Sequence, residues 1–132
     1  MEDCVFCKIV AKKIPSYSIY EDDSFYGFLD IRPLNLGHSL LIPKRHFRFV
    51  YDVPDFGRYF ETARKMAKNI QKATDASSIN FLTVGEEVHH AHIWIIPRFE
   101  NDGGVLDLKN FKKISPEEMK SIATTITSQI SF

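Results

Sequence analysis

Two histidines separated by one residue are the side chains of this sequence best suited to chemistry. His90 and His92 lie in the run 88–94, which alternates in the manner of a β-strand. Alternate residues of a strand share a face, so both imidazoles and Trp94 are expected on one side of it. Neutral imidazole is a good nucleophile near pH 7, because its unperturbed pKa is about 6.5. A pair of ordinary surface histidines is the alternative that this spacing leaves open.

Two thiols form a second group of side chains that could do chemistry. Cys4 and Cys7 make a Cys-x-x-Cys pair near the N-terminus, which places two sulfurs within reach of one metal ion. Redox use, zinc binding and two incidental cysteines are all compatible with this pair. Redox use is the weaker interpretation, because no thioredoxin-like βαβ pattern surrounds it.

Composition restricts the classes of protein to consider. The chain has 132 residues with 17 basic and 17 acidic side chains, a size typical of one domain and a charge that argues against nucleic-acid binding through a basic surface. It shows no apolar signal segment at the N-terminus and no apolar run long enough for a membrane span. Two closely spaced cysteines do not make a secreted disulfide framework. We therefore expect a cytoplasmic protein with no membrane or nucleic-acid partner.

The elements that must position these groups follow from hydrophobic periodicity and turn residues. A helix capped by Asp3, three strands, a long helix opened by the segment 52–55, two more strands and a capped C-terminal helix are predicted in that order. The strands are expected at 18–21, 25–29, 38–42, 78–84 and 88–97. The last helix is expected at about 115–130, and its apolar residues are Met119, Ile122, Ile126 and Ile130. Mostly short connections predict an α+β fold, one antiparallel five-stranded sheet with packed helices, as a single domain over 1–132.

The histidine segment resembles the signature of the histidine-triad (HIT) nucleotide-binding family, His-x-His-x-His, which is often followed by Pro-Arg. His90 and His92 match the first two histidines, Trp94 replaces the third, and Pro97-Arg98 follow. The resemblance to the small dimeric branch of that family extends over most of the chain. It includes the stretches 4–9, 14–15, 20–23, 28–33, 37–38 and 42–46.

The resemblance implies a catalytic role for the middle histidine. His92 would attack the α-phosphorus of a nucleotide and form a covalent nucleotidyl-histidine, which water or another acceptor then resolves. The backbone carbonyl of His90 would accept a hydrogen bond from the other ring nitrogen of His92 and fix the reactive tautomer.

The resemblance also implies contacts to a purine nucleotide. Asp30 would hold the ribose hydroxyls, although it is otherwise an ordinary turn residue. The apolar base pocket would otherwise be ordinary core, and its residues are Phe6, Ile9, Phe28, Leu29 and Ile31. His38 matches a family histidine near the site.

The phosphate side departs from the family pattern. Gly85, Glu86 and Glu87 occupy a stretch that normally donates hydrogen bonds to phosphate, whereas ionised carboxylates only accept them. Trp94 has one N–H donor and cannot act as an acid or a base. The chain is also shorter by roughly five residues before Gly85.

The resemblance implies a structural zinc ion, one per chain. Its ligands would be Cys4, Cys7, His46 and His90, a closed Cys₂His₂ set.

Three functions remain open at this point. The leading one is a nucleotidyl hydrolase or transferase acting on nucleoside phosphoramidates or dinucleoside polyphosphates, with Glu86 or Glu87 supplying a proton. The second is a nucleotide-binding or interaction protein with weak or no catalysis, which Trp94 favours. The third is a zinc-stabilised interaction domain. A homodimer joined through the helix 56–70 is expected by resemblance alone.

Overall fold

The computed structural model describes residues 3–103 and 106–129, which form five strands and three α-helices. The strands are β1 (Ser18–Glu21), β2 (Phe25–Leu29), β3 (Ser39–Pro43), β4 (Ser78–Leu82) and β5 (Ile93–Arg98). The helices are α1 (Val5–Val10), α2 (Phe56–Thr74) and α3 (Pro116–Ser128). Ile130, predicted in the last helix, lies outside the described residues.

The strands form one antiparallel sheet in the order β1-β2-β3-β5-β4. α2 and α3 cover one face of this sheet, and α1 packs on the other. The expected α+β fold with a five-stranded antiparallel sheet is therefore confirmed. Because alternate residues of a strand point to opposite faces, β2 directs Leu29 towards α2 and Phe28 towards α1.

The larger core lies between the sheet and the two long helices. Met66 and Ile70 of α2 and Ile126 of α3 are almost completely buried there against β5 residues such as Ile95. The hydroxyl of Tyr59 reaches through this layer and donates to the carbonyl of Leu41 at 2.8 Å. These contacts hold the central strands rigidly behind the opposite face, which carries the histidines.

The short helix α1 begins differently from the prediction. Its N-cap is Cys4, whose Sγ accepts from the amide of Cys7 at 3.3 Å, and not Asp3. A sulfur one position later takes the capping place because α1 begins at Val5. The cap therefore brings both cysteines to the same end of α1.

Residues 88–92, which include His90 and His92, are not part of a strand. β5 begins at Ile93, five residues later than predicted, and Leu41 of β3 is its first partner. Continued in this register, Ile42 of β3 would face His92 and Pro43 would face Ala91, and Pro43 has no N–H to extend the ladder. The segment before Ile93 is held instead by single hydrogen bonds, such as that from the Ala91 amide to the Phe47 carbonyl at 2.6 Å.

Three boundaries differ in smaller ways. The third strand is shifted to Ser39–Pro43, and β4 ends at Leu82 and not at Val84. The residues Val50–Asp52 form a separate 3₁₀ turn, and α2 starts only after Asp55, which adopts a left-handed conformation. None of the helices in the described part of the chain is long and apolar enough to cross a membrane.

Candidate functional site

His92 is held in a single orientation. Its Nδ1–H donates to the carbonyl of His90 at 2.7 Å, and only 6% of the residue is exposed. Since a carbonyl only accepts, this bond leaves Nε2 as the ring atom with the free lone pair in the neutral imidazole. Burial lowers the pKa of His92. The arrangement therefore presents an unprotonated Nε2, as a nucleophile requires.

An apolar wall of aromatic rings lies against His92. The ring of Phe6 meets the His92 ring edge-on, with centroids 5.3 Å apart, and meets Phe28 in the same way at 5.6 Å. Ile9 belongs to the same buried cluster. The structure therefore brings three of the five predicted base-pocket residues together on the α1 side of the sheet.

The other two predicted base-pocket residues lie elsewhere. Leu29 points to the α2 side and is 1% exposed within the larger core. Ile31 is 76% exposed. The alternation of β2 explains Leu29, because a residue adjacent to Phe28 in a strand must take the opposite face. The structure does not group Leu29 with Phe6 and Phe28.

Asp30 lies at the end of β2, on the boundary between core and solvent. Its Oδ1 accepts from the Arg32 amide at 2.8 Å, and burial raises the pKa of the carboxyl. His38 places Nε2 3.6 Å from the other carboxylate oxygen, Oδ2. Burial lowers the pKa of His38 to about 4, so this contact is not an ion pair near pH 7.

Trp94 covers His38. The two rings meet edge-on with centroids 5.0 Å apart, and Trp94 packs against the α1-side cluster. His38 Nδ1 accepts from the Leu34 amide at 3.0 Å, so the neutral ring carries its proton on Nε2. That Nε2 is buried and has no hydrogen-bond partner among the described residues. Trp94 therefore serves as a packing residue beside a neutral histidine.

The segment predicted to contact phosphate, residues 85–87, lies beside His92, and one of its amide donors is already hydrogen-bonded within the segment. Glu86 and Glu87 are exposed, and the Glu86 carboxylate accepts from the amide of Gly85 at 3.1 Å. An anion approaching that amide would have to displace this carboxylate. The two glutamates therefore do not replace the missing donors while they are ionised.

A cavity of about 230 Å³ adjoins His92 on this side. Gly85 and Glu86 line it together with three residues that sequence reasoning missed, Arg48, Phe49 and Tyr51. Phe49 and Tyr51 could have been found from their alternating positions shortly after His46, a predicted metal ligand, in the run 46–51.

The four predicted metal ligands lie together. One donor atom from each of Cys4, Cys7, His46 and His90 falls within 4.8 Å of all the others. The Sγ of Cys4 lies 3.2 Å from His90 Nδ1, and the Sγ of Cys7 lies 3.3 Å from His46 Nδ1. Tetrahedral zinc with Zn–S of about 2.3 Å and Zn–N of about 2.0 Å would space sulfur and nitrogen by roughly 3.5 Å. The donor set and its spacing therefore fit a zinc ion.

The surroundings of the cluster also suit a metal. His90 Nε2–H donates to the Pro43 carbonyl at 2.8 Å, which leaves Nδ1 unprotonated towards the sulfurs. Burial and the neighbouring Cys4 raise the pKa of Cys7 to about 11. Both sulfurs would therefore need a cation to remain thiolates together.

Comparison with known proteins places the chain in a family. The sequence-family model of the HIT domain matches residues 11–101. The chain belongs to the HIT family.

Individual relatives extend the comparison. The adenosine 5'-monophosphoramidase HNT1 of Saccharomyces cerevisiae is 36% identical over 78% of this chain and 67% of its own length. Among solved structures, a HIT-like protein involved in cell-cycle regulation from Bartonella henselae superposes with a TM-score of 0.83 at 30% identity and covers 98% of both chains. A zinc-bound histidine-triad family protein from Mycobacterium smegmatis gives a TM-score of 0.76 at 28% identity, over 97% of this chain and 93% of that one.

Proposed function

We propose that the protein is a nucleotidyl hydrolase or transferase that forms a covalent nucleotidyl-histidine at His92. The observation that carries this proposal is the hydrogen bond from His92 Nδ1–H to the His90 carbonyl, which leaves Nε2 free beside a cavity. The monophosphoramidase among the relatives supports a hydrolase of nucleotide conjugates. Nucleoside phosphoramidates and dinucleoside polyphosphates of purines are the proposed substrates.

The reaction would proceed in two displacements at phosphorus. Nε2 of His92 attacks the α-phosphorus, and the bond to the leaving group breaks with its electron pair going to the leaving atom. That atom takes a proton from Glu86, Glu87 or water, because Trp94 cannot supply one. Water then attacks the phosphorus, releases the nucleoside monophosphate and returns the electron pair to Nε2.

The nucleoside would bind on the α1 side of His92. Phe6 and Phe28 provide an apolar wall for a base, and Ile9 supports it. The Asp30 carboxylate, partly exposed at the end of β2, can accept from both hydroxyls of a ribose. His38 Nε2 lies 3.6 Å from that carboxylate, beyond hydrogen-bonding distance.

A second candidate function is nucleotide binding with weak or no turnover. Two observations favour it: Trp94 is packed on His38, and Glu86 occupies the Gly85 amide. Under this alternative, a nucleoside would bind more tightly than its monophosphate, because the ionised carboxylates of Glu86 and Glu87 would repel the phosphate.

The test compares two neighbouring histidines. His92→Gln removes the nucleophile, whereas His89→Gln alters an exposed histidine next to the site and serves as the control. With adenosine 5'-phosphoramidate, we expect turnover by the wild type and the control and none by His92→Gln. Rapid quenching followed by intact-protein mass spectrometry should show one added adenylyl group only when His92 is present. Equal turnover by His92→Gln would contradict the mechanism, and calorimetric binding without product would favour the second function.

We further propose that Cys4, Cys7, His46 and His90 hold one structural zinc ion. The fit of the donor set and the zinc-bound relative support this proposal. Zinc would fix α1 against the histidine segment and would supply no open coordination position. Elemental analysis should give about one zinc per chain, and Cys7→Ser should lower both the zinc content and the melting temperature. Metal-free protein with two freely reactive thiols would contradict the site.

A homodimer and a cytoplasmic location complete the proposal. β4 pairs only with β5 within the described chain and exposes 47% of Phe81, so this edge and α2 offer a contact surface. Sedimentation should show a dimer that Phe81→Glu dissociates. The two free thiols of Cys4 and Cys7 suit a reducing compartment.

A further inference from the structure

The cavity beside His92 is separate from the proposed nucleoside site. Of the residues described, none of those assigned to the base or the ribose lines it. His92 borders both regions, since it contacts Phe6 on one side and lines the cavity on the other. A substrate whose phosphorus lies at His92 would therefore direct its nucleoside towards Phe6 and its leaving group into this cavity.

The cavity has an aromatic wall built from two parallel rings. The rings of Phe49 and Tyr51 lie 5.0 Å apart at their centroids and only 5° from parallel. Phe49 lies so close to Gly85 that a Cβ there would fall 2.4 Å from its Cε1. The absence of a side chain at position 85 thus allows the stack to form directly beside the proposed phosphate position.

The outer ring of the stack is open to a ligand. Tyr51 is 71% exposed although it is stacked on Phe49. Val84, 44% exposed, lines the same cavity. Together they offer apolar surface next to a nucleophile, where a planar group would remove it from water.

The charges at the cavity favour a neutral group over a phosphate chain. Arg48 and Glu86 contribute one positive and one negative side chain. Arg48 is also engaged already, because its Nη2 donates to the Gly85 carbonyl at 3.2 Å and its guanidinium lies over the Phe49 ring at 4.7 Å. A polyphosphate would find no free cluster of cations among the residues that line the described cavity.

We propose that this cavity is the leaving-group subsite and that it binds a planar aromatic ring attached close to the leaving atom, as in an arylmethyl phosphoramidate. The proposal rests on the proposed function. The ring must be within a few bonds of the leaving atom, because the cavity adjoins His92 itself. When the P–N bond breaks, the electron pair and a proton go to the nitrogen, and the arylmethylamine departs from the face of Tyr51.

The experiment compares three adenosine 5'-phosphoramidates: unsubstituted, N-benzyl, and N-cyclohexylmethyl, which matches benzyl in size but is not planar. An aromatic contact of about 1 kcal/mol corresponds to about a fivefold preference in kcat/KM for benzyl over cyclohexylmethyl. We expect this preference in the wild type, its loss in Tyr51→Leu, and its retention in Phe56→Leu. Phe56, 46% exposed, is a matched control because it lies outside the cavity.

The outcomes separate this proposal from the proposed function. Turnover of all three compounds with no preference for benzyl, or a preference that survives Tyr51→Leu, overturns the subsite and leaves the hydrolase intact. A Tyr51→Leu defect confined to diadenosine triphosphate also overturns it, since the ring would then be a distant nucleobase. If no compound turns over, the same ligands are titrated by calorimetry into His92→Gln with and without Tyr51→Leu. A benzyl preference in Kd that disappears with Tyr51 supports the subsite, and equal Kd values overturn it.

Discussion

Gly85→Ala is the substitution whose effect the structure specifies most closely. The added Cβ would fall 2.4 and 2.5 Å from Cε1 and Cδ1 of the Phe49 ring. Carbon atoms pack at about 3.5–4.0 Å, so the ring must move by about 1 Å. The backbone at Gly85 does not have the left-handed conformation that favours glycine, so the substitution tests space alone.

The expected cost follows from this overlap. Inserting a methyl group into a packed position costs about 1–3 kcal/mol. The lower half of this range applies because Phe49 is only half-buried, so its ring can move. Urea unfolding should show a loss of about 1–2 kcal/mol, and the melting temperature should fall by about 3–8 °C. The same displacement should reduce the preference for an arylmethyl leaving group, because Tyr51 is stacked on the ring that moves.

Two further variants make the test specific. In a Phe49→Leu background, the smaller side chain leaves room, so Gly85→Ala should cost at least about 1 kcal/mol less than it does alone. Gly57→Ala is the control, because a Cβ at that helical glycine meets no atom within 4 Å. It should stabilise the protein by about 0.5–1 kcal/mol. An equal cost of Gly85→Ala in both backgrounds would refute the packing argument.

Three other outcomes are expected. Glu86→Gln should tighten the binding of a nucleoside monophosphate about fourfold, because it removes the repulsion between two charges about 5 Å apart in water. The affinity for the nucleoside should not change, and an equal gain for both ligands in calorimetry would contradict charge repulsion. Burial raises the pKa of Asp30 in the folded protein above its unfolded value of about 4. The contribution of this carboxyl to the free energy of unfolding is therefore largest below the unfolded pKa and is lost as pH rises through the folded pKa. Asp30→Asn should therefore be at least as stable as the wild type in urea at pH 7 yet bind nucleosides at least about tenfold more weakly, and lower stability with unchanged affinity would contradict this. Tyr59→Phe should cost about 1 kcal/mol, because it leaves the buried Leu41 carbonyl without its donor; a cost near zero in urea unfolding would show that this bond contributes nothing.

The sequence allowed the element order and the strand faces to be predicted, because both follow from periodicity. His90, His92 and Trp94 all lie on the α1 side of the sheet, as the alternation of side chains predicts, although both histidines precede β5. The late start of β5 was not foreseen, because it depends on which residue of β3 lies opposite. In the observed register Ile42 would face His92 and Pro43 would face Ala91, and these pairings are known only once the register is fixed.

The site was predictable to the extent that its residues carry a motif. Resemblance proposed the four candidate metal ligands, and the structure places them together. Phe49 and Tyr51 belong to no motif, and their role depends on the empty space at Gly85, which is a tertiary property. The resemblance groups Leu29 and Ile31 with Phe28, whereas strand alternation turns Leu29 to the other face and Ile31 is exposed to solvent.

The position of His90 has a consequence for when the proposed site is assembled during folding. Its imidazole contacts the Sγ of Cys4, 86 residues earlier in the chain, while its carbonyl orients His92. Contacts that close so long a loop form late, because the entropy of closure opposes them until the intervening elements are in place. We therefore expect the orientation of His92, the proposed nucleophile, to be completed only when the first helix has docked on a finished sheet, and partly folded chains should lack it.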